Sequence, residues 1–138
     1  MKETTIMIPE IQDDTDVRKY AAGLQVTIDA AQGESVPKNK DPFWENCEEY
    51  LLWLVCLYVC RLPKSERSLA SIEHCIEMLA TESLDEDLPT IKALKGKPES
   101  TQEKCYKNFL LMTDKIRKTA CLGELAKLSL LKKESRSE

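Results

Sequence analysis

From Phe43 to Leu62 the chain is apolar on nearly every side, and that run limits what the rest of the molecule can be. Leu51, Leu52, Trp53, Leu54, Val55, Cys56, Leu57, Tyr58, Val59 and Cys60 follow one another without a break. No turn residue interrupts them, which favours one helix over a pair of buried strands. A helix that is hydrophobic all round belongs at the centre of a bundle. Asp41-Pro42 starts it, because Asp caps orphan amides and Pro fits the first helical position. Pro63 closes it. Glu45, Glu48 and Glu49 fill its first turns, so the apolar stretch falls short of the roughly 18 residues that span a bilayer.

The flanking sequence supplies amphipathic partners for that helix. Asp14, Thr15 and Asp16 offer an N-cap and an acidic first turn, and Val17, Tyr20, Ala21, Leu24 and Ile28 follow at helical spacing as far as about Ala31. Residues 32–40 read as a loop from their Gly, Pro and polar content. Ser65 or Ser68 can cap a helix that carries Leu69, Ile72, Cys75, Ile76 and Leu79 on one face. Ser83 to Asp87 reads as an acidic turn and Leu88 to Leu94 as a short helix, stopped by Lys95-Gly96-Lys97-Pro98. Ser100-Thr101-Gln102-Glu103 is a capping box. Tyr106, Phe109, Leu110 and Ile116 mark the buried side of the helix it opens. Leu122, Leu125, Ala126 and Leu128 continue that helix beyond Gly123, a place for a kink or a break. The expected architecture is all-α: a compact helical bundle of about five to seven helices around the central helix, residues 42–62. Residues 1–13 read as a lead-in segment, 14–131 as the domain and 132–138 as a polar tail.

Chemistry is hard to find. There is no P-loop, no G-x-G-x-x-G and no G-x-S-x-G. The one histidine, His74, is adjacent to Cys75, and neighbours on a helix point about 100° apart. The six cysteines (Cys47, Cys56, Cys60, Cys75, Cys105 and Cys121) include no C-x-x-C pair and fall on helix interiors. They read as reduced, buried side chains, and with no long apolar stretch near Met1 the expected compartment is the cytoplasm. No catalysis, cofactor or metal is expected. Charge is the more informative quantity. The net charge of −4 divides into −2 over residues 1–40, −8 over 41–90 and +6 over 91–138. Such asymmetry fits a charged partner, or simply the Lys- and Glu-rich outside of helices.

Asp41-Pro42-Phe43-Trp44-Glu45-Asn46-Cys47-Glu48-Glu49-Tyr50-Leu51-Leu52 resembles the D-P-F-W-E-x-A-E-x-x-L-L stretch of TraG-like coupling proteins. These serve type IV secretion and conjugation in Gram-positive mobile elements. Further pieces resemble the family in order. Asp16 to Ala21 resembles its D-V-x-K-x-A helix, and Glu66 to Ile72 its E-R-[TN]-[LF]-x-x-V helix start. Tyr106-Lys107-Asn108-Phe109 and then Lys118-Thr119-Ala120 resemble its Y-K-x-F and K-T-A segment. The likeness covers residues 14–128; Cys47 stands where the family often has Ala, and the stretch from Glu82 to Lys104 is shorter than in many relatives.

The resemblance implies the all-α domain of a coupling protein without its motor. That domain sits at the cytoplasmic mouth of a hexameric ATPase and receives the relaxase–DNA complex or its accessory proteins. The implied function is non-catalytic substrate recognition, with a relaxase or relaxosome accessory protein, DNA, and the parent's ATPase domain as partners and no direct membrane contact. The alternative is a recombinase-like or regulatory helical DNA-binding domain, though no helix clusters Arg, Asn and Gln on one side for base reading. Candidate DNA contacts are Lys92, Lys95, Lys97, Lys104, Lys107, Lys115, Arg117 and Lys118. Candidate contacts for a basic partner are Glu73, Glu77, Glu82, Asp85, Glu86 and Asp87. Asp41, Pro42, Phe43 and Trp44, the family signature, read as a helix cap followed by core aromatics.

Overall fold

A computed structural model describes residues 7–31, 42–81 and 84–135. Among them the chain forms six α-helices and one 3-10 turn: α1 (Asp14–Ala30), α2 (Pro42–Val59), the turn Lys64–Glu66, α3 (Leu69–Leu79), α4 (Pro89–Lys95), α5 (Thr101–Leu110) and α6 (Asp114–Ser135). The described residues contain no strand. No helix among them is long and apolar enough to cross a membrane.

α2 is the hub. Leu51, Leu52, Leu54, Val55, Cys56, Leu57 and Val59 are wholly buried, as is Cys60 just beyond its end, and α2 packs against all five other helices. It ends at Val59, three residues before the expected Leu62, because Cys60 and Arg61 peel away into a turn. The Arg61 guanidinium holds that turn. It donates to Leu57 O at 3.1 Å, to Gln12 O at 2.6 Å and to the Asp14 carboxylate.

The partner helices start where their caps dictate. α1 is capped one residue earlier than expected: Asp13, not Asp14, accepts from Asp16 N at 3.0 Å. Ser68 caps α3 through Ser71 N at 3.2 Å, while Ser65 lies in the 3-10 turn. Ser100 caps α5 through Glu103 N at 3.0 Å, but the Glu103 carboxylate reaches back to Glu99 N at 2.9 Å instead of to the cap itself. Gly96 ends α4 at φ 76, a left-handed conformation that favours glycine.

The expectations about the chain's ends and breaks are corrected. The lead-in is part of the fold: Ile8 is 2% exposed, Ile11 N donates to Cys60 O at 3.1 Å, and Arg67 Nε donates to Ile8 O at 3.0 Å. The helix that starts at Thr101 stops at Leu110, and Thr113 restarts the chain by accepting from Ile116 N at 3.3 Å. Gly123 does not interrupt α6. A Cβ there would lie 2.9 Å from Glu48 Oε2, so glycine lets α6 approach α2. α6 also runs past the expected tail boundary, and Lys132 Nζ donates to Glu73 Oε1 at 2.6 Å. On α6 only part of the apolar pattern is buried: Leu128 is core and Leu125 half-buried, while Leu122, at 52%, and Ala126 are exposed.

Leu54 lies on the buried part of α2 with no exposed surface, so truncating it leaves a cavity that neighbours cannot fill. Leu54→Ala should lower unfolding free energy by about 3 kcal/mol. Val26→Ala, on the exposed face of α1, should change it by less than about 0.5 kcal/mol. Urea unfolding midpoints of the two variants check this.

Candidate functional site

The described cysteines are all free and buried. Burial pushes the thiols of Cys75, Cys105 and Cys121 up to about 12, which suppresses the thiolate needed for nucleophilic or ligand chemistry. Cys56 and Cys60 share a hydrogen bond along one helix face; it raises Cys56 and lowers Cys60. Among the described residues no three His, Cys, Asp or Glu side chains are arranged to hold a metal ion. His74 is exposed on α3.

Five of the candidate DNA contacts ride on one helical pair. α4 packs against α5, and Gln102 Nε2 ties them by donating to Ala93 O at 2.7 Å and Leu94 O at 2.9 Å. Lys92 and Lys95 lie in the last turn of α4, Lys97 in the connection, and Lys104 and Lys107 on the outside of α5. Residues 89–110 thus carry five lysines against two glutamates, Glu99 and Glu103. Glu103 takes up part of that charge, with Lys107 Nζ 3.5 Å from its Oε1. Lys115 is exposed in the first turn of α6 and Lys118 is half-buried.

Arg117 does not belong to that surface. It is 2% exposed, and its guanidinium donates to Leu79 O, to Thr81 O at 3.0 Å and to Asp114 Oδ1 at 3.3 Å. The last carbonyls of a helix have no intrahelical donor, and Arg117 supplies one to the end of α3.

The acidic candidates divide. Glu73 is half-buried and paired with Lys132. Glu77 is exposed on α3. Asp85, Glu86 and Asp87 are exposed in the connection to α4, where Asp85 Oδ1 accepts from Asp87 N at 2.9 Å and so shapes the turn. Glu82 lies outside the described residues. So does Asp41, with its expected cap. Pro42 opens α2. Phe43 and Trp44 are not core aromatics: Phe43 is 43% exposed, Trp44 is half-buried, and their rings meet edge-on with centroids 5.1 Å apart. The core aromatics are Tyr106 and Phe109 on α5.

Two features were not anticipated. One is a cleft of about 220 Å³ between α1 and α2, lined by Arg18, Asn46, Glu49, Tyr50 and Trp53. The Arg18 guanidinium lies 4.7 Å over the Trp53 ring, a cation–π distance. The other is a polar seam where α1, α2 and α6 meet. Glu124 is fully buried, and Gln25 and Glu48 nearly so. Gln25 Nε2 donates to Glu124 Oε1 and to Asp29 Oδ1, each at 3.2 Å. Lys127 Nζ lies 2.5 Å from Glu48 Oε1 and 3.4 Å from Asp29 Oδ1. Burial pushes the Glu124 carboxyl up to about 8; Glu48 and Asp29 add to that push, while Gln25 and Lys127 oppose it. Burial alone would lower the Lys127 ammonium, but Glu48, Asp29 and Glu124 outweigh it and leave Lys127 above its ordinary value. The sequence did hold the signal. Glu124 falls one turn before Leu128 and one turn after Ala120 on the buried stripe of α6, and Gln25 sits between Leu24 and Ile28. A polar residue on an apolar stripe marks a buried polar contact.

No family model, curated protein or solved structure matches this chain.

Arg117→Met removes the side-chain donor that caps the Leu79 carbonyl at the end of α3. Stability should fall by about 3 kcal/mol. Lys104→Ala, on the exposed side of α5, should change it by under about 0.5 kcal/mol. Thermal or urea unfolding of both variants separates the two roles.

Proposed function

We propose that this chain is a non-catalytic substrate-recognition domain of a conjugative coupling protein. It docks the relaxase–DNA substrate of a type IV secretion system on the cytoplasmic side of the membrane. The observation that carries the reading is the packed α4–α5 pair, which with its connection holds five lysines against two glutamates on a chain of net charge −4. The arrangement of the resemblance agrees with it. The D-V-R-K-Y-A piece lies in α1, the D-P-F-W-E motif runs into α2, and E-R-S-L leads into α3. The Y-K-N-F and K-T-A pieces lie in α5 and α6.

In this reading the lysines neutralise backbone phosphates and release counterions, which needs no base-specific contact. DNA, the relaxase or a relaxosome accessory protein, and the parent's ATPase domain are the partners. No bond is made or broken by this chain.

Fluorescence anisotropy of a labelled single strand across a salt series tests the proposal. Binding should weaken with salt by about 0.7 logarithmic units per phosphate neutralised, per decade of salt. Reversing Lys92, Lys95, Lys97, Lys104 and Lys107 to Glu should abolish it. Each single Lys→Gln change there should reduce the slope by about one or less. Absence of binding at low salt, or binding untouched by the reversal, would overturn the DNA-docking role. Sequence-selective binding to duplex DNA would instead favour a recombinase-like or regulatory domain.

A further inference from the structure

The seam between α1 and α6 leaves two buried acceptors without donors, Gln25 Oε1 and Glu124 Oε2. The orientation of the Gln25 amide is set, because both of its N–H groups point at carboxylate oxygens, one on Asp29 and one on Glu124. An orphaned buried acceptor is unfavourable, and an uncompensated buried carboxylate is more so. A single proton removes both difficulties. A protonated Glu124 gains a donor where Gln25 lacks one, and an acid paired with a primary amide forms a ring of two hydrogen bonds.

We propose that Glu124 is held protonated in the folded chain, its acid O–H closing on Gln25 Oε1, so that one proton fastens α6 to α1 and its loss loosens that seam. Every charged or titratable group facing Glu124 fits the assignment. Asp29 on α1 and Glu48 on α2 are anionic neighbours, and the thiols of Cys56 on α2 and Cys121 on α6 are electrically coupled to Glu124. Lys127 on α6 is the one cation among these, and it is already engaged by Glu48 and Asp29. The charge of the seam is therefore balanced best with Glu124 neutral.

The direction of the pH effect is set by linkage. Glu124 binds its proton more tightly folded than unfolded. Its contribution is complete below the ordinary carboxylate range and is lost as pH rises through its folded value of about 8. In urea unfolding of the full chain, the unfolding constant should rise by up to about tenfold per pH unit across that window. Glu124→Gln keeps the shape and supplies a permanent N–H donor, so this component should disappear, while Glu48→Gln should retain it. Equal pH slopes for wild type and Glu124→Gln would overturn the proposal. The wild type alone gives a second reading: with 13C-carboxyl-labelled glutamate, one signal should titrate near pH 8. If every glutamate titrates in the ordinary range, the proton is not held.

Discussion

The molecule is organised by one constraint: from Leu51 to Val59 α2 is apolar nearly all round, and only Trp53 and Tyr58 there are less than fully buried. A helix with an apolar stripe needs one neighbour, but a helix that is apolar nearly all round needs a ring of them. α1, α3, α4, α5 and α6 are that ring. Each brings its own stripe, such as Val17, Ala21, Leu24 and Ile28 on α1, or Leu69, Ile72, Cys75, Ile76 and Leu79 on α3. The constraint also accounts for details that look local. Gly123 inside α6 leaves room for the Glu48 carboxylate of the hub, whose Oε2 a Cβ there would meet at 2.9 Å. The segment at Ile8 is held down because the end of α2 would otherwise stay uncovered.

Enclosing one helix within five others also traps polar groups, and the fold treats them in two ways. Arg117 is fully employed, with three acceptors around its guanidinium. Its buried charge is therefore hydrogen-bonded and serves the end of α3. The seam of Gln25, Asp29, Glu48, Glu124 and Lys127 is more delicately balanced, since its three carboxylates face one ammonium. The lysines of α4 and α5 fit neither pattern. Lys92, Lys104 and Lys107 are exposed and Lys95 half-buried, on the helical pair whose Ile91, Leu94, Tyr106 and Phe109 enter the core.

Much of this was legible in the sequence, for identifiable reasons. The continuous apolar run named the hub, and helical periodicity named most of the core. The Ser100 capping box placed the start of α5, while for α3 the sequence offered Ser65 or Ser68 and the structure uses Ser68. The break at residues 111–113 was missed because Phe109, Leu110 and Ile116 fit one helical stripe across it, and Thr113 gave only a weak local signal. Phe43 and Trp44 were expected inside because aromatics usually bury; here α2 has already filled the centre with aliphatic side chains, so they lie at its rim. Arg117 reads as one more cation in a basic run, since nothing in one dimension shows that the end of α3 lies beside it. Periodicity marks Gln25 and Glu124 as polar residues on buried stripes, but it does not show that the two meet, nearly a hundred positions apart.

Hydrogen exchange followed by mass spectrometry would test the central claim most directly. If α2 is the hub, amides from Leu51 to Val59 can open only when the whole fold opens. They should exchange slowest, with a free energy equal to that of global unfolding, while the α4–α5 pair exchanges sooner by local opening. Exchange of α2 at or before the rate of α4 and α5 would mean that the chain is not built around that helix.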